Sequence, residues 1–296
     1  QTFSNCQRHL WQNMKESKLH AFDYITGEKL TVLASTHPKN INSFTGNAKL
    51  ISCNDHKEFT YRGRFTNQDE AILINVLTSQ KAHQTLRWLI NNNGSFLDTQ
   101  VTVIWAVDKE VGDVVIPYDS SYQTVEKIKN NFDDDFADLP AIKSEADLIK
   151  EALSSVDNNY AKKLANLLSG LGKIDSIKKH DKKIIIAIFD AATTGRLALI
   201  YYQQFKKDDY LESLANWHNE ASWHLIDSVK VQNEQGKEVN KTIHYVGCPS
   251  FQDITIAVYG QPRSGNDASY KNLQKNVRKQ LLECMFGNFA FPKSYV

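Results

Sequence analysis

Two apolar runs, Lys183 to Asp190 (KIIIAIFD) and Arg196 to Tyr202 (RLALIYY), are separated by Ala191-Ala192-Thr193-Thr194-Gly195. Each run is strand-sized, and a glycine-containing connection this short joins neighbouring antiparallel strands. The chain must therefore build a sheet with at least one antiparallel hairpin. Other segments read as helices packed around it. Asn67 with Glu70 forms a capping-box pattern, which predicts a helix to about Asn91 that Asn93-Gly94 ends. Val101 to Val107, β-branched and holding Trp105, reads as a strand. Tyr160 to Leu171 is amphipathic, and Asp208 to His224 places Leu211, Leu214, Trp217 and Ala221 on one helical face. Phe251 to Tyr259 and Ala268 to Met285 read as the last helices. A short hairpin-like piece is expected from Ile25 to Ala34, a strand from Glu58 to Phe65 with a bulge at Gly63, and a polar turn from Gln232 to Asn240.

The class is α+β, with the hairpin at about 183–202 packed by several helices. The expected organisation is a first α+β region over 1–107, an acidic linker or insertion over 108–158, and a second α+β region over 159–296. A short helix from Glu145 to Leu153 is expected inside the acidic stretch. The second region ends in helices and can form one compact domain with the first.

Hydrophobic residues make up 41% of the 296, enough for one large core or two modest ones. No apolar run is long enough to cross a bilayer, and the first ten residues lack the apolar region of a signal peptide. Because residue 1 is Gln, the sequence reads as a piece of a longer protein. The four cysteines (Cys6, Cys53, Cys248, Cys284) are scattered, which predicts a reducing, cytoplasmic setting rather than a disulfide framework. No GxSxG, P-loop, GxGxxG, HExxH or paired-cysteine motif is present, so the chain reads as a binding protein without catalytic residues, cofactor or metal. Asp133-Asp134-Asp135 fits a solvated acidic loop. Asp190, at a strand end, is the carboxylate a rival nuclease reading would use with a divalent metal.

The net charge is only +1, but charge is segregated along the chain. Asp108 to Asp157 holds thirteen acidic and five basic residues, Lys162 to Asp209 ten basic and five acidic, and Arg263 to Lys279 five basic and one acidic. Such segregation favours a basic surface for a polyanion. The hairpin loop offers the Thr194 hydroxyl, a Gly195 free to take positive φ, and the Arg196 fork suited to phosphate or guanine, unless Arg196 pairs with Asp190. Lys81, Gln84 and Arg87 share a polar helix face with Trp88 beside it. Lys271, Lys275 and Arg278 recur as a basic stripe opposite Leu273, Val277 and Leu281, and Arg62 and Arg64 lie in the EFTYRGRF strand. Trp217 belongs to an apolar stripe, whereas Trp223 falls on a polar helix face and needs another partner.

Six strings occur in one order: AKLISCNDHKEFTYRGRF, SQKAHQTLRWLI, AIFDAATTGRLALIYYQQF, LANWHNEASWH, GCPSFQDITIAVYG and RKQLLECMFGNFAFPKSYV. Together they resemble the central part of the large subunit of the type I-C (Dvulg subtype) CRISPR Cascade surveillance complex. Members of that family are longer and usually carry Pro where Thr194 stands, and the acidic stretch near Asp133 has no counterpart in the pattern. The resemblance implies a non-catalytic subunit of a crRNA-guided antiviral complex. Such a subunit helps recognise the protospacer-adjacent motif in duplex DNA and docks the helicase-nuclease. Its implied partners are double-stranded target DNA, the crRNA-containing complex, other Cascade subunits and that effector, with no membrane. Within family-like segments, residue chemistry selects Arg62, Arg64, Lys81, Arg87, Thr194, Arg196, Lys271, Lys275 and Arg278 as DNA-binding candidates. A scaffold that touches only protein or guide RNA is the alternative.

Overall fold

The structure, a computed structural model, describes residues 21–29, 32–34, 36–42, 45–52, 71–107, 114–132, 159–177, 183–193, 195–232, 237–262, 267–287 and 289–295. Their order is α1 (Val76–Asn93), β1 (Gly94–Leu97), β2 (Gln100–Ala106), α2 (Ser121–Phe132), α3 (Tyr160–Ile177), β3 (Lys183–Thr193), β4 (Arg196–Lys206), α4 (Lys207–Glu220), β5 (Trp223–Gln232), β6 (Glu238–Gly247), α5 (Phe251–Tyr259) and α6 (Ala268–Gly287). One sheet has the order β1-β2-β3-β4 and a second pairs β5 with β6, so the fold is α+β as expected. The chain forms two compact units, 1–103 with 187–202 and 104–186 with 203–296, whose boundaries fall within β2, β3 and β4.

In the first unit, α1 begins at Asn75, whose side chain accepts the Leu77 N–H. The Asn67–Glu70 pair expected to cap it lies outside the described residues. The helix ends against β1 with no room to spare. A Cβ on Gly94 would stand 2.2 Å from the Ile90 carbonyl oxygen and 3.0 Å from Val101 Cγ2. Gly94→Ala is therefore expected to destabilise the fold by about 1–3 kcal/mol through backbone displacement, read as a lower urea midpoint.

β1 and β2 pair antiparallel from Gly94↔Val103 to Leu97↔Gln100. Beyond the end of β2, the Val107 N–H donates to Lys183 O at 2.9 Å, at the start of β3. Thr99, before β2, donates its hydroxyl to Asp190 Oδ1 at 2.7 Å, near the end of β3. The two strands therefore run antiparallel as well. β3 and β4 are longer than their apolar runs suggest and leave only Thr194 and Gly195 between them.

In the second unit, α3 packs on α4 and α2 on α3. Val125, Leu164, Leu168, Tyr210, Leu214, Leu281 and Leu282 fill the core. Tyr210 stacks on Phe286 with ring centroids 5.2 Å apart and donates its hydroxyl to the Val115 carbonyl. Two differences from the sequence reading stand out. The stretch expected as an acidic linker or insertion contains α2, which buries Ser121, Thr124, Val125 and Ile128. The expected helix end at His224 and the polar turn at 232–240 give way to the β5–β6 ribbon, paired from Trp223↔Gly247 to Gln232↔Glu238.

A buried hydroxyl ties this unit together. Ser121 Oγ, at the start of α2, accepts the Cys248 N–H at 2.8 Å and lies 2.9 Å from His218 Nδ1, to which it can donate. The Ser121 N–H donates in turn to the Cys248 carbonyl at 3.0 Å. One serine thus links α2, α4 and the segment between β6 and α5.

Candidate nucleic-acid interface

The first unit aligns three cations on neighbouring chain segments. Lys39 bridges Lys49 in antiparallel fashion, and Lys49 bridges Arg196 in parallel fashion. The Lys49 N–H donates to Gly195 O at 3.2 Å, and the Leu197 N–H to Lys49 O at 3.0 Å. Directly bridged residues project to the same face about 5 Å apart, so the three charges form a row about 10 Å long. Lys39 and Arg196 are exposed and Lys49 is half-buried. None of the three side-chain cations forms an ion pair or hydrogen bond with another described residue. Like charges held opposite one another repel, and a bound polyanion would remove that repulsion.

Arg87 sets the row in place. Its Nε donates to Asn40 O at 3.1 Å and Nη2 to Lys39 O at 2.8 Å, while Nη1 holds Gln84 Oε1 at 3.1 Å. Asn40 adopts a left-handed φ of 58°, so the chain turns sharply just where the guanidinium grips it. Behind the turn, the buried Asn42 side chain donates to Thr99 O at 3.4 Å. Arg87, a DNA-binding candidate from sequence, has its fork directed at protein carbonyls and acts here as a positioning residue.

The other candidates divide. Arg196 lies in the row. Lys81 is exposed on α1, as is Trp88. Arg62, Arg64 and Thr194 lie outside the described residues. Gly195 does not use the positive φ open to it, since the left-handed glycines among the described residues are Gly27, Gly46 and Gly260. Asp190 accepts the Thr99 hydroxyl. The basic stripe on α6 is not an open surface. Lys275 is only 8% exposed, and Arg278 lies over the Tyr118 ring at 4.8 Å, where burial pulls its pKa below the usual arginine value. Leu273, expected on the opposite apolar face, is instead exposed. Trp217 packs edge-on to Phe251, and Trp223 opens β5 at 73% exposure rather than sitting on a helix.

Sequence reasoning missed Lys39 and Lys49. Nothing local marks them, because they become neighbours of Arg196 only when two distant segments bridge the hairpin end.

The class these features define is an α+β protein that presents a preformed basic row on a braced ribbon. The chain belongs to the family described as CRISPR-associated protein (Cas_Csd1), which matches residues 3–296. No curated protein matches it. Among the described residues, no helix is long and apolar enough to cross a membrane.

Proposed function

We propose that the chain is a non-catalytic part of the large subunit of a type I-C crRNA-guided surveillance complex in the cytoplasm. In this reading it grips duplex target DNA by its backbone, helps recognise the protospacer-adjacent motif and docks the helicase-nuclease alongside the other subunits. Membership of a CRISPR-associated family supports the setting, and the Lys39–Lys49–Arg196 row is the observation that carries the DNA contact. Cations held in register against their mutual repulsion suit phosphates, which fix the position and orientation of a duplex while other contacts read sequence. The guide RNA would supply most of the specificity by base pairing.

The test is fluorescence anisotropy of the chain with a short labelled duplex at low and physiological salt. Binding should fall steeply with salt, and Arg196→Ala should lower the log–log salt slope by about one. An unchanged slope removes Arg196 from the interface. A scaffold that meets only protein or guide RNA is the second reading, favoured by the burial of Lys275 and the packing of Arg278 on Tyr118. Binding to partner subunits with no duplex affinity at low salt would establish it.

A further inference from the structure

Arg87 is not the sole anchor of the segment that carries Lys39 and Lys49. His37 and His83 are both buried, and their rings stack 5.9 Å apart at 29°. Ser79 on α1 joins them: its hydroxyl lies 2.8 Å from His37 Nδ1, and its backbone carbonyl accepts the His83 Nδ1–H at 2.7 Å. A carbonyl can only accept, so that bond places a proton on His83 Nδ1. Nε2 is buried without a partner among the described residues.

Among the described residues, two neighbours of His37, His83 and Lys49, disfavour a charge on its ring. From α1 it faces Ser79 and His83, and from the row it feels the Lys49 ammonium. Asp23, on the segment beside the start of α1, directs its carboxylate oxygens to the N–H groups of Ile25, Thr26 and Asn75. Among the described residues neither ring contacts a carboxylate.

We infer that the His37–Ser79–His83 stack is an acid-released latch on the basic row, which holds Lys39 and Lys49 in register while the His37 ring is neutral. The inference rests on the proposed DNA contact only for its effect on binding. Burial, then the proximity of His83 and Lys49, holds the pKa of His37 below the usual 6.5. The released segment therefore binds a proton more readily than the docked one. Docking is complete above about pH 6.5 and weakens as the pH falls through the lower value of the docked ring. Simple charge arithmetic predicts the reverse, since a protein that gains histidine charge holds a polyanion more tightly.

The opposite signs make the test decisive. Duplex affinity is measured at fixed ionic strength at about pH 7.5 and about pH 5.5, with amide exchange followed at Lys49 and Leu197, whose N–H groups knit the row together. Affinity should fall on acidification, by at most about tenfold, exchange protection at both amides should fall with it, and His37→Asn, which keeps a polar partner for Ser79, should flatten both profiles. Protection that stays constant, or affinity that rises while protection holds, overturns the latch. If wild-type chain binds no duplex at either pH, the DNA reading fails while the exchange profile still decides the latch. Should His37→Asn not fold, the wild-type profile decides alone, with exchange at Cys248 separating any acid loosening around His218.

Discussion

Ser121→Ala is expected to lower the unfolding free energy by about 2–4 kcal/mol, because it strands two buried polar groups at once. The Cys248 N–H loses its acceptor and His218 Nδ1 loses its hydroxyl. The serine side chain is small, so little packing volume goes with it and the loss is mainly one of unmet hydrogen bonds. His218 also gives this unit a pH signature. Burial pulls its pKa from 6.5 down to about 4. The unfolded chain thus binds the proton more readily than the native one, and the stability conferred by the neutral ring is complete above pH 6.5. That stability disappears progressively as the pH falls to about 4, a decline of roughly 3 kcal/mol. Urea midpoints collected between these limits check the sign. A flat profile, or one that His218→Gln leaves unaltered, would show that the ring is solvated in the native state.

Neutralising the whole row has the largest expected effect on binding. Replacing Lys39, Lys49 and Arg196 with Gln should weaken duplex affinity by about 10²–10³ at low salt and lower the salt slope by about three. Stability should hold or rise slightly, since mutual repulsion is removed while the backbone bridges remain. The two readouts separate a binding surface from a structural one. A salt slope that stays put while affinity drops would point to misfolding, and unchanged affinity would place the duplex elsewhere.

How much of this was legible depended on whether neighbours in sequence are also neighbours in space. β3 stands out because Ile184 to Phe189 is an unbroken buried apolar run, and β4 because its first half is apolar in sequence although only Leu197 is buried; α5 matches its predicted limits and begins with the Ser250–Asp253 capping box. α2 was hidden by composition. Its buried positions 121, 124, 125 and 128 have helical spacing, but two of the four are hydroxyl residues inside a strongly acidic stretch. The β5–β6 ribbon was hidden for another reason. Glu238 through Thr242 are all exposed, so no alternation of apolar and polar residues marks β6 over that stretch. The α6 stripe shows the reverse error: helical spacing groups Lys271, Lys275 and Arg278, but cannot show that the Tyr118 ring covers Arg278 and that Lys275 is buried. The candidate site was half legible. Arg196 and Arg87 were chosen for their chemistry, yet one belongs to the row and the other supports it, and only tertiary bridging adds Lys39 and Lys49.

The open space around Gly195 has a practical consequence. A Cβ there would meet no atom of another described residue within 4 Å, and the backbone does not demand glycine. Position 195 is thus a vacant socket beside the row. A cysteine installed there could carry a fluorophore or a photo-crosslinker without disturbing the three cations, giving a local reporter of whatever polyanion settles on them.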